Sequence, residues 1–276
     1  MNSSLNAVDS VSEFKNIHRK SMTKSAMACA VLVYLSVTLL VHPATAESNS
    51  LAGLAPGNNA TANRYLAAAW VAVGKNNFHI GLEQSALAIK ADPSLGQAYL
   101  LNGLSLYELD RAPESIAPLK RGIKLLPDEG RSVMARPASE PAYSRHLLAV
   151  ALTNTGRPDE ALSVLKTALA IFPKSPLINT DLGDYYLHAR EENIALTYYA
   201  KGAEYGFNSA RERRSNIYLK LGKYVLALAD ANKLLQSEPN HTRYLMLRSN
   251  IYRKMGNIKM ADLDEATVKN QSLSEF

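Results

Sequence analysis

From Ala62 onward the chain repeats itself at one fixed interval. Tyr65 and Tyr99 are 34 apart, as are Pro93 and Pro127, Leu148 and Leu182, and Ala161 and Ala195. The same spacing separates Tyr218 from Tyr252, Gly222 from Gly256, and Ala227 from Ala261. Self-similarity at this period marks an array of stacked supersecondary units. Aligned this way, six units begin near Ala62, Gly96, Ala142, Pro176, Asn208 and Thr242. The register slips twice, by about twelve extra residues after the second unit and two missing residues after the fourth.

Within a unit the apolar residues follow helical spacing. Leu147, Leu148, Val150, Ala151 and Leu152 form one face, and Ala161, Leu162, Val164, Leu165, Ala168 and Leu169 a second. Gly156-Arg157-Pro158-Asp159 makes the turn between them. One such helix pair cannot bury its own apolar face, but successive pairs stacked together make a continuous core. No long run of alternating polarity occurs, so strands are not expected. The fold class is all-α.

Small residues occupy the eighth position of every unit, at Ala69, Gly103, Ala149, Gly183, Ser215 and Ser249. They also occupy the twentieth, at Gly81, Ser115, Ala161, Ala195, Ala227 and Ala261. With prolines closing units at Pro93, Pro127, Pro173 and Pro239, this pattern resembles the tetratricopeptide repeat family over nearly all of residues 62–270. In that family the small residues let the two helices of a unit cross closely. The resemblance implies an α-solenoid of about six helix-turn-helix units, wound as a right-handed superhelix. Some positions depart from the pattern. The aromatic at the fourth position persists as Tyr65 and Tyr99 but becomes Arg145, Asn179, Arg211 and Leu245, which weakens those units, and Phe207 replaces a closing proline.

Ahead of the array, Ser25 to Val41 carries no charge and follows Arg19, Lys20 and Lys24. Ala44-Thr45-Ala46 supplies a small-residue exit after Pro43. Residues 1–46 therefore read as a secretory signal peptide, with Met22 as an alternative start. The competing reading is an uncleaved anchor, since the run from Ser25 to Val41 is at the short limit for crossing a bilayer. The expected location is periplasmic or secreted, or inner-membrane anchored facing the periplasm if cleavage fails. Cys29, the sole cysteine, lies inside the leader, so the exported chain has neither a disulfide nor a thiolate metal site. The leader carries four of the 31 basic and two of the 25 acidic side chains, leaving +4 on the remainder. Residues 47–61 read as a flexible lead-in, and residues 128–141 as an inserted loop. That loop is either a partner contact or a tolerated surface insertion.

The resemblance further implies that the first helix of each unit lines a concave groove. Candidate partner-binding residues on those helices are Trp70, Leu104, Tyr107, Tyr143 and His146, then Asn216, Lys220, Asn250, Arg253 and Lys254. The groove would be apolar and aromatic at the first units and basic and amide-rich at the last. Asn216 and Asn250 share the ninth position, from which an asparagine in related arrays grips an extended peptide backbone. Trp70 is either a ligand anchor or a packing residue.

No catalytic constellation is legible. His79, His146, His188 and His241 are isolated, and neither a phosphate loop nor a nucleophile elbow occurs. No metal or cofactor is expected. The Asp181–Asp184 pair reads as solvated groove lining. The expected role is a non-enzymatic envelope scaffold holding an extended segment of a protein or peptide, within a pilus, outer-membrane or polysaccharide-export assembly. The alternative is an anionic polysaccharide or surface bound by Arg211, Arg213, Arg214, Lys220, Lys223, Arg243, Arg248, Arg253 and Lys254, which face only Glu212 in those stretches. Nucleic acid is disfavoured, since no stacking aromatics lie among the basic residues.

Overall fold

The computed structural model describes residues 59–126 and 141–274. The expected signal segment, Cys29, most of the lead-in and residues 128–140 of the inserted loop lie outside the described residues. Among the described residues there are twelve α-helices and no strand. They run α1 (Ala60–Gly74), α2 (Phe78–Ala91), α3 (Gly96–Glu108), α4 (Ala112–Leu125), α5 (Pro141–Asn154) and α6 (Pro158–Ile171). Then come α7 (Pro176–His188), α8 (Glu192–Glu204), α9 (Asn208–Lys220), α10 (Tyr224–Ser237), α11 (Thr242–Lys254) and α12 (Ile258–Ser274). The described residues divide into two compact halves, on either side of the boundary between Ile171 and Phe172. Each holds three of the six expected pairs, and in each half consecutive helices pack on one another.

The turn inside every pair is the same device. Position fifteen of the unit is left-handed in all six, at Asn76, Asp110, Gly156, Arg190, Gly222 and Gly256. The residue after it returns a hydrogen bond five residues back, as in Asn77 N–H to the Ala72 carbonyl and Asn257 N–H to the Tyr252 carbonyl, both 2.9 Å. This bond satisfies a carbonyl that the helix end leaves open. Glycine adopts this conformation freely, whereas Arg190 must carry a Cβ through it.

All twelve small residues at the eighth and twentieth positions are buried. Gly183 shows why they are small. A Cβ there would lie 2.5 Å from the ring of Tyr199 on α8, a separation no pair of carbons sustains.

Three of the four departures at the fourth position, Arg145, Asn179 and Arg211, are polar side chains that bond backbone carbonyls. Asn179 donates to the carbonyls of Pro173 (3.1 Å) and Ser175 (2.8 Å). Arg211 donates to Ala203 O at 2.9 Å, and Arg145 to Pro141 O at 3.0 Å. Each holds a backbone acceptor that the missing aromatic would only have covered. Phe207, in place of a closing proline, packs against the cluster of Ala195, Tyr199, Ala203, Ala210 and Ile217.

Candidate functional site

In the N-terminal half the expected aromatic face is partly internal. Leu104 is 1% exposed and His146 2% exposed, so neither is open to a partner, contrary to expectation. Both lie on helices covered by their neighbours, α3 by α2 and α4, and α5 by α4 and α6. Trp70, Tyr107 and Tyr143 remain half-buried. Tyr107 accepts from Asn154 Nδ2 at 3.2 Å, which joins the first helices of the second and third pairs. The Tyr143 ring packs 5.7 Å from that of His146. Burial, then the nearby Glu108 charge, pushes the Tyr143 phenol above its ordinary value, so it stays protonated.

The C-terminal half is organised by polar contacts that the expected basic face conceals. Asp184 on α7 accepts from Tyr199 on α8 and from Arg213 Nε on α9, each at 2.6 Å. Asp181 and Asp184 are buried rather than solvated. Burial opposes the Arg213 charge, but Asp184, Tyr199 and Glu212 together outweigh it and hold the guanidinium above its ordinary value. Glu212, also buried, pairs with Arg243 of α11. Burial raises Glu212 above the usual carboxylate range, even with Arg243, Arg213 and His241 opposing that rise.

Second helices use up more of the cations. Arg214 forms a bidentate pair with Asp230 (2.8 and 2.6 Å). Arg248, one repeat on, forms the same pair with Asp264 (2.9 and 2.6 Å). Arg253 is held by Glu265 and Asp262 of α12. Lys220, 69% exposed, reaches Glu192. The strongly basic end read from first-helix residues alone is therefore largely neutralised. The partners lie on neighbouring helices, outside the stretches where only Glu212 was counted.

Asn216, Asn250 and Lys254 stay exposed on α9 and α11. Asn216 donates Nδ2 to its own helix at Glu212 O, 3.1 Å. Met246 stands exposed on α11 between Arg243 and Asn250. Of the expected residues, the structure thus leaves Asn216, Asn250, Lys254 and Lys220 outward in one half, and half-opens Trp70, Tyr107 and Tyr143 in the other. Arg253 is committed to the second helix of its own pair. The residues missed from sequence are Tyr199, Asp230 and Asp264. The signal for the two aspartates was an Arg-to-Asp spacing of 16 that recurs one repeat later.

No group of three or more His, Cys, Asp or Glu among the described residues could hold a metal ion. Among those residues, no helix is long and apolar enough to cross a membrane.

The family model of the tetratricopeptide repeat matches residues 142–175. No curated protein matches the sequence. Among solved structures, PilW, a widely conserved type IV pilus biogenesis factor, is similar at TM-score 0.63 and 18% identity, over 77% of this chain and 94% of that one. The pilF protein of Pseudomonas aeruginosa is similar at TM-score 0.62 and 16% identity, over 76% and 91%. The APC/C hetero-tetramer Cut9–Hcn1 gives 0.61 and 15% over 75% of this chain, which spans only 39% of the chain it matches there. These likenesses establish the fold as a tetratricopeptide repeat array.

Proposed function

Starting from a tetratricopeptide repeat array, a fold suited to protein–protein interaction, we propose that this chain is a non-enzymatic scaffold of the cell envelope. It holds an extended segment of a partner protein against the first helices of its fifth and sixth pairs. One observation carries the reading. Asn216 and Lys220 on α9 recur as Asn250 and Lys254 on α11, one repeat later, and all four are exposed. Most other charged groups of these helices are spent on ion pairs inside the half, and Lys220 itself reaches Glu192.

The spacing suits an extended chain. Contacting helices lie about 10 Å apart, and a strand rises about 3.3 Å per residue. Two asparagines at equivalent positions of neighbouring first helices therefore address backbone groups about three residues apart. The envelope location rests on the apolar run with its basic flank and Ala44-Thr45-Ala46 exit. Likeness to PilW, a type IV pilus biogenesis factor, supports a pilus-type assembly as the first to examine.

Asn216→Ala combined with Asn250→Ala tests this. The double variant should keep its helical circular dichroism and recover less native partner in pull-down from the producing cells. Undiminished recovery would remove the first-helix face as the binding surface. The anionic-polysaccharide alternative predicts binding that collapses with added salt. The pairing of its arginines counts against it.

A further inference from the structure

The turns inside the fifth and sixth pairs differ in composition from those of the other four. Loops and turns between helices usually expose polar side chains. The first four pairs follow that rule with Asn76 and Asn77, Asp110 and Arg111, Arg157 and Asp159, and Arg190 and Glu191. Beyond those polar residues, a single large apolar side chain stands exposed beside the turn of the first pair, Ile80, and beside that of the fourth, Ile194. The fifth turn instead exposes Leu221, Val225 and Leu226 together, with Val225 at 73%. The sixth exposes Met255 and Ile258, the latter at 49%. Lys223, Lys254 and Lys259 stand exposed among them. None of these three makes an ion pair among the described residues, whereas Lys220 is committed to Glu192. No acidic residue occurs in 220–226 or in 254–260.

Both turns lie at the same end of their half. Each joins the C-terminus of a first helix to the N-terminus of a second, and α11 packs against both α9 and α10. The result is an edge of two neighbouring tips, apolar at the points and cationic around them. Leu221 also lines a shallow cleft with Glu191, Glu192 and Ile194 of the fourth turn, so the cationic part of the edge is Lys223, Lys254 and Lys259. An anionic lipid interface satisfies both features at once. Apolar tips enter the acyl boundary, while lysines lie along the headgroups with their aliphatic stems buried and their ammonium groups on phosphate.

We propose that this turn edge of the C-terminal half docks on an anionic lipid bilayer. The contact is peripheral: no helix is inserted, and five side chains reach below the headgroups. It shares only Lys254 with the first-helix face, whose Asn216 and Asn250 remain available for a protein segment. The docking is also distinct from any hold the leader has on a membrane, because it is read at a different place in the chain.

Fluorescence at the tip tests the proposal in the full chain. Trp70 is the sole tryptophan, so Trp70→Phe provides a silent background. In that background Val225→Trp is placed on the tip, and Asn240→Trp in the turn beyond the far end of α10, about 20 Å away by the length of that helix. Brominated acyl chains in phosphatidylglycerol vesicles should quench the tip tryptophan severalfold more than the distal one. The difference should shrink in phosphatidylcholine vesicles and vanish with Lys223→Glu plus Lys259→Glu. Ile258→Trp gives a second tip reporter if Val225→Trp disturbs the helical circular dichroism. Equal quenching at tip and distal positions, or quenching indifferent to lipid charge and to the lysine reversals, overturns the proposal. A tip shielded only by added partner protein, and not by vesicles, overturns it too and assigns the edge to protein. None of these readings involves Asn216 or Asn250, so failure here leaves the scaffold proposal standing.

Discussion

Tyr199 donates its hydroxyl to Asp184 Oδ1 across 2.6 Å, from one helix of the fourth pair to the other. The same oxygen accepts from Arg213 in the fifth pair, so one carboxylate links three helices. Tyr199 is fully buried, and burial followed by the Asp184 charge raises its phenol above the ordinary value. It therefore remains a donor at neutral pH.

Tyr199→Phe keeps the ring and removes this one bond. A hydrogen bond to a charged acceptor contributes about 1.5–3 kcal/mol. Urea denaturation should show a loss in that range, less whatever Arg213 recovers by tightening on Asp184. An unchanged midpoint would mean that Arg213 alone satisfies the carboxylate.

Gly183→Ala tests the close crossing of α7 and α8. Its methyl would meet the Tyr199 ring at 2.5 Å, and that ring is pinned at its hydroxyl. Overpacking of this kind costs about 1–3 kcal/mol. The expected result is a lower thermal midpoint with the helical signal retained.

Arg190→Gly should move stability the other way. Arg190 holds φ +61° in a turn where the equivalent residues of the fifth and sixth pairs are glycine. Relief of the left-handed penalty is worth about 1 kcal/mol, offset in part by the entropy glycine adds to the unfolded chain. A small rise in the denaturation midpoint checks the assignment.

Acid titration separates two carboxylates of opposite sign. Hydrogen bonds from Arg253 and Ser249 hold Glu265 down to about 2, against an unperturbed 4.5. A lowered carboxylate stabilises the fold above its unfolded value, so this contribution is present above pH 4.5 and is lost as pH falls toward 2. Glu265→Gln should therefore be less stable than the parent at neutral pH, with the two thermal midpoints converging across that window. Glu212 runs oppositely. Its raised value favours the protonated fold, so its contribution fades as pH rises above the ordinary carboxylate range. Glu212→Gln should lose least, relative to the parent, at neutral pH.

Much of the architecture was readable before any coordinates because its constraints are local. The small residues fall at positions eight and twenty and recur at the repeat period whatever the neighbouring pairs do, whereas the left-handed residue at position fifteen is marked in the sequence only where it is glycine. Candidate side chains were less readable because exposure depends on what packs across. Leu104 and Trp70 share the ninth position, yet Leu104 is enclosed and Trp70 is half-open, since α3 has a helix pair on each side. Charge misled for a related reason. Arg214 and Arg248 look free along α9 and α11, and their partners Asp230 and Asp264 come from the antiparallel helix 16 residues later.

Placing a photo-crosslinking side chain at Asn250, and separately at Thr197 on the exposed surface of α8, tests the binding face most directly in the producing cells. A discrete partner adduct is expected from position 250 and none from 197. Equal adducts from both positions, or one from 197 alone, would contradict the proposed binding face.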